Sequence, residues 1–263
     1  MPNEDMLQIN GLAKRFGGLM VTQDVSFTVR RGGRKALIGP NGAGKTTLFN
    51  LMSGVYPLDL GTISLDGARI DHLPSRKRIA AGLSRSFQNI RLMPHLSVIE
   101  NVMLGQHSQI VGPLALFNPI GLMRGNQARK AAEDRLKRAG LDVDPDGPVS
   151  GLPYGTRKRI EVVRALMSNP KLLMLDEPAA GLNPKETSEL SSFLKEEAES
   201  GLTLLVVEHD MSFVHDLCDE TLVLNFGRLI YDGPTGEVQN DPAVREAYLG
   251  TRRVSNAGGD RAA

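Results

Sequence analysis

The sequence predicts an α/β fold, a largely parallel sheet covered on both faces and interrupted by an inserted α-helical subdomain. Three observations carry this. Short apolar strands alternate with helical patterns through most of the 263 residues. Two of those strands, in "KLLMLDEP" and "TLLVVEH", are apolar throughout, as strands buried on both faces are. Between about Asn89 and Ser150 the strand signals stop and helical ones take over.

In chain order, "LQINGLAKRF" and "DVSFTVRRGG" read as two short strands ending in turn-forming glycines. "RKALIG" is a third strand, bounded by Gly39. "KTTLFNLMSG" has apolar residues at helical spacing, Leu48, Leu51 and Met52, with Gly54 as a stop. "GTISLDGARI" is a strand and turn. Helices follow in "VIENVMLGQHSQI" and "GNQARKAAEDRLKRAGL", separated by the apolar loop "GPLALFNPIG", which is expected to be packed or partner-facing. The α/β pattern then resumes with the strand in "KLLMLDEP", the amphipathic helix "KETSELSSFLKEEAESG" and the strand "TLLVVEH". A helix in "DMSFVHDLCD" precedes a single closing strand and turn, "TLVLNFGRLIYDG". The small, polar tail "TRRVSNAGGDRAA" is expected to be disordered.

Composition narrows the class. Lys+Arg 31 against Asp+Glu 30 gives a net charge of +1, which offers no global field for nucleic acid. The single cysteine, Cys218, excludes an internal disulfide, fits a reducing compartment and reads as a buried small hydrophobe. No apolar run approaches the roughly 20 residues that span a bilayer. "MPNEDMLQIN" carries acids where a signal would carry bases, so the expectation is a cytoplasmic chain that a partner holds at any membrane it serves.

The strongest chemical signal is "GPNGAGKTT": Gly39, Pro40, Asn41, Gly42, Ala43, Gly44, Lys45, Thr46 and Thr47. Glycines let successive N–H groups point into one cavity that cradles phosphate oxygens, and the following helix adds its positive end. Lys45 would reach the β- and γ-phosphates, Thr46 would bind Mg²⁺ and Thr47 would sit near the α-phosphate. An ordinary glycine-rich turn is the alternative, which the strand–loop–helix context disfavours. In "KLLMLDEP", Asp176 and Glu177 stand at the C-terminal end of a buried strand, where ligands bind in open α/β sheets. Asp176 is placed for the Mg²⁺ shell, Glu177 to orient and deprotonate a water attacking the γ-phosphate. Alone, such a pair is as often a solvated turn. His209 follows a strand of the same kind and could reach a γ-phosphate, although a lone histidine is more often simply a satisfied side chain. Gln88 in "SRSFQNIR" marks the junction of sheet and insertion, where an amide could contact Mg²⁺ or water; a junction glutamine is otherwise unremarkable.

In this order the motifs resemble the ATP-binding subunit of an ABC transporter. More narrowly, "RFGGLMVTQDVSF", "IRLMPHLSVIENVMLGQH", "MLDEPAAGLNPKET" and "NDPAVREAYLG" resemble the branched-chain (hydrophobic) amino acid uptake group, with urea, amide and aromatic-acid systems as relatives. The resemblance covers the chain to about Gly250. It implies a P-loop nucleotide-binding domain over 1–250, with an antiparallel β subdomain, a core of 1–88 and 156–250, and the helical insertion at 89–155. It also implies ATP and Mg²⁺ as cofactors, catalytic roles for Glu177, His209 and Gln88, and Mg²⁺ contacts from Thr46, Gln88 and Asp176. Phe16 matches the aromatic on which adenine stacks. Asn183 falls where the family's loop between subunits carries aspartate. The implied partners are a second, different ATP-binding chain in an ATP-sandwich dimer, two integral membrane permease subunits and an extracytoplasmic solute-binding protein. The implied location is the cytoplasmic face of the inner membrane. A non-transport ABC clamp remains the alternative class.

The family's signature, L-S-G-G-Q or L-S-Y-G-Q, is here Leu152, Pro153, Tyr154, Gly155 and Thr156. In the family the serine hydroxyl and nearby N–H groups bind the γ-phosphate across the dimer. Pro153 has neither hydroxyl nor N–H, yet suits a first helical turn. Each charge-assisted hydrogen bond lost is worth roughly 1.5–3 kcal/mol. The expectation is an asymmetric ATPase whose weakened site is the partner's, facing Pro153; the alternative is that backbone geometry suffices and both sites fire.

Overall fold

The computed structural model describes residues 4–86, 90–108 and 127–248; Gln88, the loop "GPLALFNPIG" and the polar tail lie outside them. The chain begins with an antiparallel pair, β1 (Asp5–Phe16) and β2 (Leu19–Arg30). β4 (Leu60–Leu65) pairs with the other edge of β1, and β5 (Ala68–Arg69) with β4, so this sheet runs β2-β1-β4-β5. The second sheet contains β3 (Arg34–Ile38), β6 (Leu83–Arg85), β7 (Leu172–Asp176), β8 (Thr203–Val207), β9 (Glu220–Asn225) and β10 (Arg228–Pro234). Its order is β10-β9-β3-β8-β7-β6, parallel throughout except for β10.

The fully apolar strands are explained by two cores. Alternate residues of a strand point to opposite faces. Leu172, Met174, Leu205 and Val207 join Leu48, Phe49 and the antiparallel sheet in one core. Leu173, Leu175, Leu204 and Val206 join Ile160, Val163, Leu190, Phe193 and Phe213 in the other. Burial of Cys218 in this second core pushes its thiol pKa up to about 12.

The helices are α1 (Lys45–Met52), α2 (Ser75–Ala80), α3 (Val98–Met103), α4 (Gln127–Arg138), α5 (Tyr154–Leu166), α6 (Pro184–Glu199) and α7 (Met211–Leu217), with residues 242–248 also helical. α3 packs on α4 and α5, and α5 runs unbroken from Tyr154. No helix among the described residues is long and apolar enough to cross a membrane.

Three features differ from the sequence reading. The closing "strand and turn" is a hairpin, β9 and β10, which Phe226 and Gly227 turn at positive φ. β2 starts at Leu19, five residues before the expected Asp24, because Met20 and Thr22 register with Arg15 and Lys14 of β1. α2 and β6 carried no recognisable apolar periodicity. Instead α2 is held by Arg78, 2% exposed, whose guanidinium donates to the carbonyls of Leu51, Met52, Asp71 and Leu73. It thereby satisfies the orphan carbonyls at the end of α1.

Candidate active site

β3 delivers the chain to the phosphate loop, and the loop's glycines are required by contact. A Cβ at Gly39 would lie 2.1 Å from the Leu224 carbonyl oxygen, and one at Gly44 2.9 Å from that of Val21; both residues have positive φ. Gly44 is the N-cap of α1 and supplies no side-chain cap, so first-turn N–H groups stay uncommitted to side chains. Lys45 bends back to donate to the carbonyls of Gly39 at 2.6 Å and Pro40 at 3.1 Å. Burial lowers its ammonium pKa, and the nearby Glu177 and Asp176 oppose that shift.

The loop from Asn41 to Thr47 walls a cavity of about 370 Å³, completed by Val21, Glu177, Val207 and His209. Neighbouring strands β7 and β8 bring two of the predicted site residues together: His209 Nε2 lies 2.9 Å from Glu177 Oε1. Glu177 adopts φ 50°, and its N–H donates to the Val207 carbonyl at 2.9 Å. A left-handed conformation in a residue other than glycine costs about 1 kcal/mol or more, and it turns this carboxylate toward the cavity rather than along the strand.

Asp176, one residue earlier, is buried, and Arg85 Nη2 donates to its Oδ2 at 2.6 Å. Arg85 also donates to Asn50 Oδ1 and Ser53 Oγ, and rests over the Phe49 ring. Sequence reading missed Arg85, since nothing in "SRSF" marks an arginine that grips an acid 91 positions away. Thr46 is exposed at the start of α1. A threonine hydroxyl and a carboxylate form a hard oxygen donor set that suits Mg²⁺, which needs few protein ligands when phosphates complete its shell.

Phe16 lies at the end of β1, 42% exposed, with its ring edge-on to Tyr56 at 5.3 Å and Lys14 Nζ 5.5 Å from its centroid. It stands outside the phosphate cavity lining. On the other side of His209 a further cavity of about 360 Å³ is walled by Ile38, Met211, Val238 and Val244, and Tyr248 closes it while accepting a backbone hydrogen bond from Gly39. The sequence reading gave these C-terminal residues no role.

The segment Leu152–Thr156 is likewise absent from this chain's own phosphate cavity. Pro153 is exposed and is the N-cap of α5, with no side-chain cap bond; Arg157 N–H donates back to its carbonyl at 3.0 Å. Gly155 is buried against Glu186, whose carboxylate oxygen would lie 2.2 Å from any Cβ there. Tyr154 lies against Gly181, where a Cβ would come 2.9 Å from the ring. Asn183 caps α6: its side chain accepts from Glu186 N–H at 3.0 Å while Glu186 accepts from Asn183 N–H at 3.0 Å.

A family model described as "ABC transporter" matches residues 22–180, more than half the chain. A second, "Branched-chain amino acid ATP-binding cassette transporter", matches residues 228–254. The high-affinity branched-chain amino acid transport ATP-binding protein LivG of Salmonella typhimurium is 40% identical over 256 residues, covering 94% of this chain and 99% of that protein. BraF of Pseudomonas aeruginosa, described in the same words, is 39% identical over 93% of this chain and 98% of its own length. The crystal structure of the ADP conformation of MJ1267, an ATP-binding cassette of an ABC transporter, superposes with a TM-score of 0.84 at 29% identity, covering 94% of this chain and all of that one. The phosphate cavity, its strained acid and this end-to-end kinship have one reading: the chain belongs to the ATP-binding cassettes of ABC transporters and is an ATPase coupled to transport.

Proposed function

We infer that this chain powers uptake of branched-chain, hydrophobic amino acids from the cytoplasmic face of the cell membrane. It works as an ATP-sandwich dimer with a second, different ATP-binding chain, on two integral membrane permease subunits served by an extracytoplasmic solute-binding protein. The observation that carries the ATPase half is the cavity in which Lys45, Glu177 and His209 converge. End-to-end similarity to branched-chain transport proteins supports the solute class.

In the mechanism, backbone N–H groups of Gly42 to Thr47 cradle the phosphates, and Lys45 leaves its loop carbonyls for the β- and γ-oxygens. Phe16, 42% exposed, stacks on adenine. Glu177 accepts a proton from the attacking water, and His209 fixes that carboxylate while facing the γ-phosphate. Thr46 and Asp176 would hold Mg²⁺, with Arg85 setting the carboxylate's orientation. When bound, that ion neutralises charge on the β- and γ-phosphate oxygens. Gln88, outside the described residues, is assigned to the water or metal shell. Leu152 to Thr156 serve the partner's ATP. Permease contact is assigned to the groove beyond β6, about 320 Å³, which includes Ser86, Met93, Glu161 and Arg164.

Reconstitution with the neighbouring subunits tests this. Leucine, isoleucine or valine with the binding protein should stimulate ATP hydrolysis and be taken up. Stimulation by urea or an aromatic acid instead would overturn the solute class. A homodimer that never co-purifies with membrane subunits would overturn the transport role.

A further inference from the structure

Glu208 stands between the last apolar residue of β8 and His209, and it is 3% exposed. Its carboxylate receives backbone N–H groups from two separate turns. Oε1 accepts from Ala179 at 2.8 Å; Oε2 accepts from His209 at 2.9 Å and from Asp210 at 3.4 Å. Ala179 belongs to the turn that begins at Glu177, while His209 and Asp210 form the turn that leads into α7. Two further bonds close a circuit between these turns: Glu177 N–H to the Val207 carbonyl, and the His209 ring to the Glu177 carboxylate.

We propose that Glu208 is a positioning residue for ATP hydrolysis, clamping the backbone of the Glu177 turn to that of the His209 turn so that the two side chains meet. This rests on the assignment of Glu177 and His209 as the hydrolytic pair. An ionised carboxylate accepts at both oxygens and can serve all three donors. A glutamine has one acceptor oxygen, so whichever way its amide points, an NH₂ faces at least one buried backbone N–H. Alanine leaves all three donors without their side-chain acceptor. Burial raises the Glu208 pKa, with the nearby Glu177 charge adding to the rise, and the three N–H donors oppose that shift. The reach extends further along the first turn. Gly181, two residues beyond Ala179, lies against Tyr154, so the same turn that Glu208 grips also backs the segment facing the partner's ATP.

The test uses the whole reconstituted complex, with Glu208→Gln, Glu208→Ala, His209→Ala and the Glu208→Gln/His209→Ala double variant. Loss of one clamped donor should lower kcat about ten-fold, because the Glu177–His209 geometry relaxes. KM for ATP should stay within about two-fold, since the phosphate loop is untouched. In the His209→Ala background Glu208→Gln should cost no further turnover, since the clamp's target is gone. Unchanged kcat in Glu208→Gln would overturn the proposal, as would an equal fall in the His209→Ala background or a rise in KM that accounts for the whole loss. If Glu208→Ala fails to fold, the isosteric glutamine variant decides. Absence of hydrolysis by the wild-type complex would count against the ATPase assignment itself, so the two failures are distinguishable.

Discussion

α1 and α5 both begin where a phosphate is expected, and neither has a side-chain cap, unlike α3, α6 and α7, which Ser97, Asn183 and Asp210 cap. At α1 the open N–H groups are surrounded by glycines, a lysine and a hydroxyl, and the helix's far end is braced by the buried Arg78. At α5 the N-cap is a proline, Gly155 is pressed against Glu186, and Tyr154 leans on Gly181. One start is equipped to bind an anion; the other keeps the helix dipole and its backbone N–H groups while its side chains serve packing. The two starts thus differ in what stands beside their N–H groups, and that difference is what the proposed asymmetry rests on.

Glu177→Gln should have the largest effect on this contrast. Removing the proposed general base should lower turnover by about 100-fold or more and trap an ATP-loaded dimer, visible by gel filtration with retained nucleotide. Normal hydrolysis would remove Glu177 from that role. Lys45→Ala should weaken ATP binding about 10- to 100-fold, measured by titration, because charge-assisted bonds to phosphate go with it. Restoring the polar signature with Pro153→Ser and Thr156→Gln should raise turnover at the partner's site up to about ten-fold and leave nucleotide affinity in this chain's own loop unchanged. An unchanged rate would mean the proline has no functional cost. Gly155→Ala should cost about 1 kcal/mol in thermal unfolding, since its methyl displaces the Glu186 carboxylate from the α6 capping box. Smallest is Asp216→Asn, on α7 and bonded to α6. Hydrogen bonds from Lys195 and Ser191 hold the Asp216 pKa below the ordinary value. Its stabilisation is therefore present above the unfolded pKa of about 3.9 and lost as pH falls through the lower folded one. The variant's Tm deficit should be slight at pH 7, as for an exposed pair, and should close in acid.

How much of this could be read from sequence follows from how far apart the partners lie. The phosphate loop was legible because its glycines, lysine and threonines are contiguous. Asp176 and Glu177 were legible from the apolar strand before them. The contact of Glu177 with His209 was not, because 32 residues separate them and the pairing of β7 with β8 brings them together. Arg85 left no signal for the same reason, since its carboxylate partner is remote in the chain. Glu208 left none because, besides its neighbours His209 and Asp210, it accepts from Ala179, 29 residues earlier. α2 was illegible because a buried arginine, rather than an apolar stripe, fixes it. Asn183 sits where the family resemblance placed an inter-subunit residue, and within this chain it caps α6.

The contrast between the two helix starts is tested most directly by disabling one hydrolytic site at a time in the reconstituted complex. Glu177→Gln in this chain alone is compared with the matching glutamine in the partner ATP-binding chain alone. If the site facing Pro153 is the weak one, Glu177→Gln removes nearly all ATP turnover, and the partner substitution leaves most of it. Equal losses from the two substitutions would contradict the account.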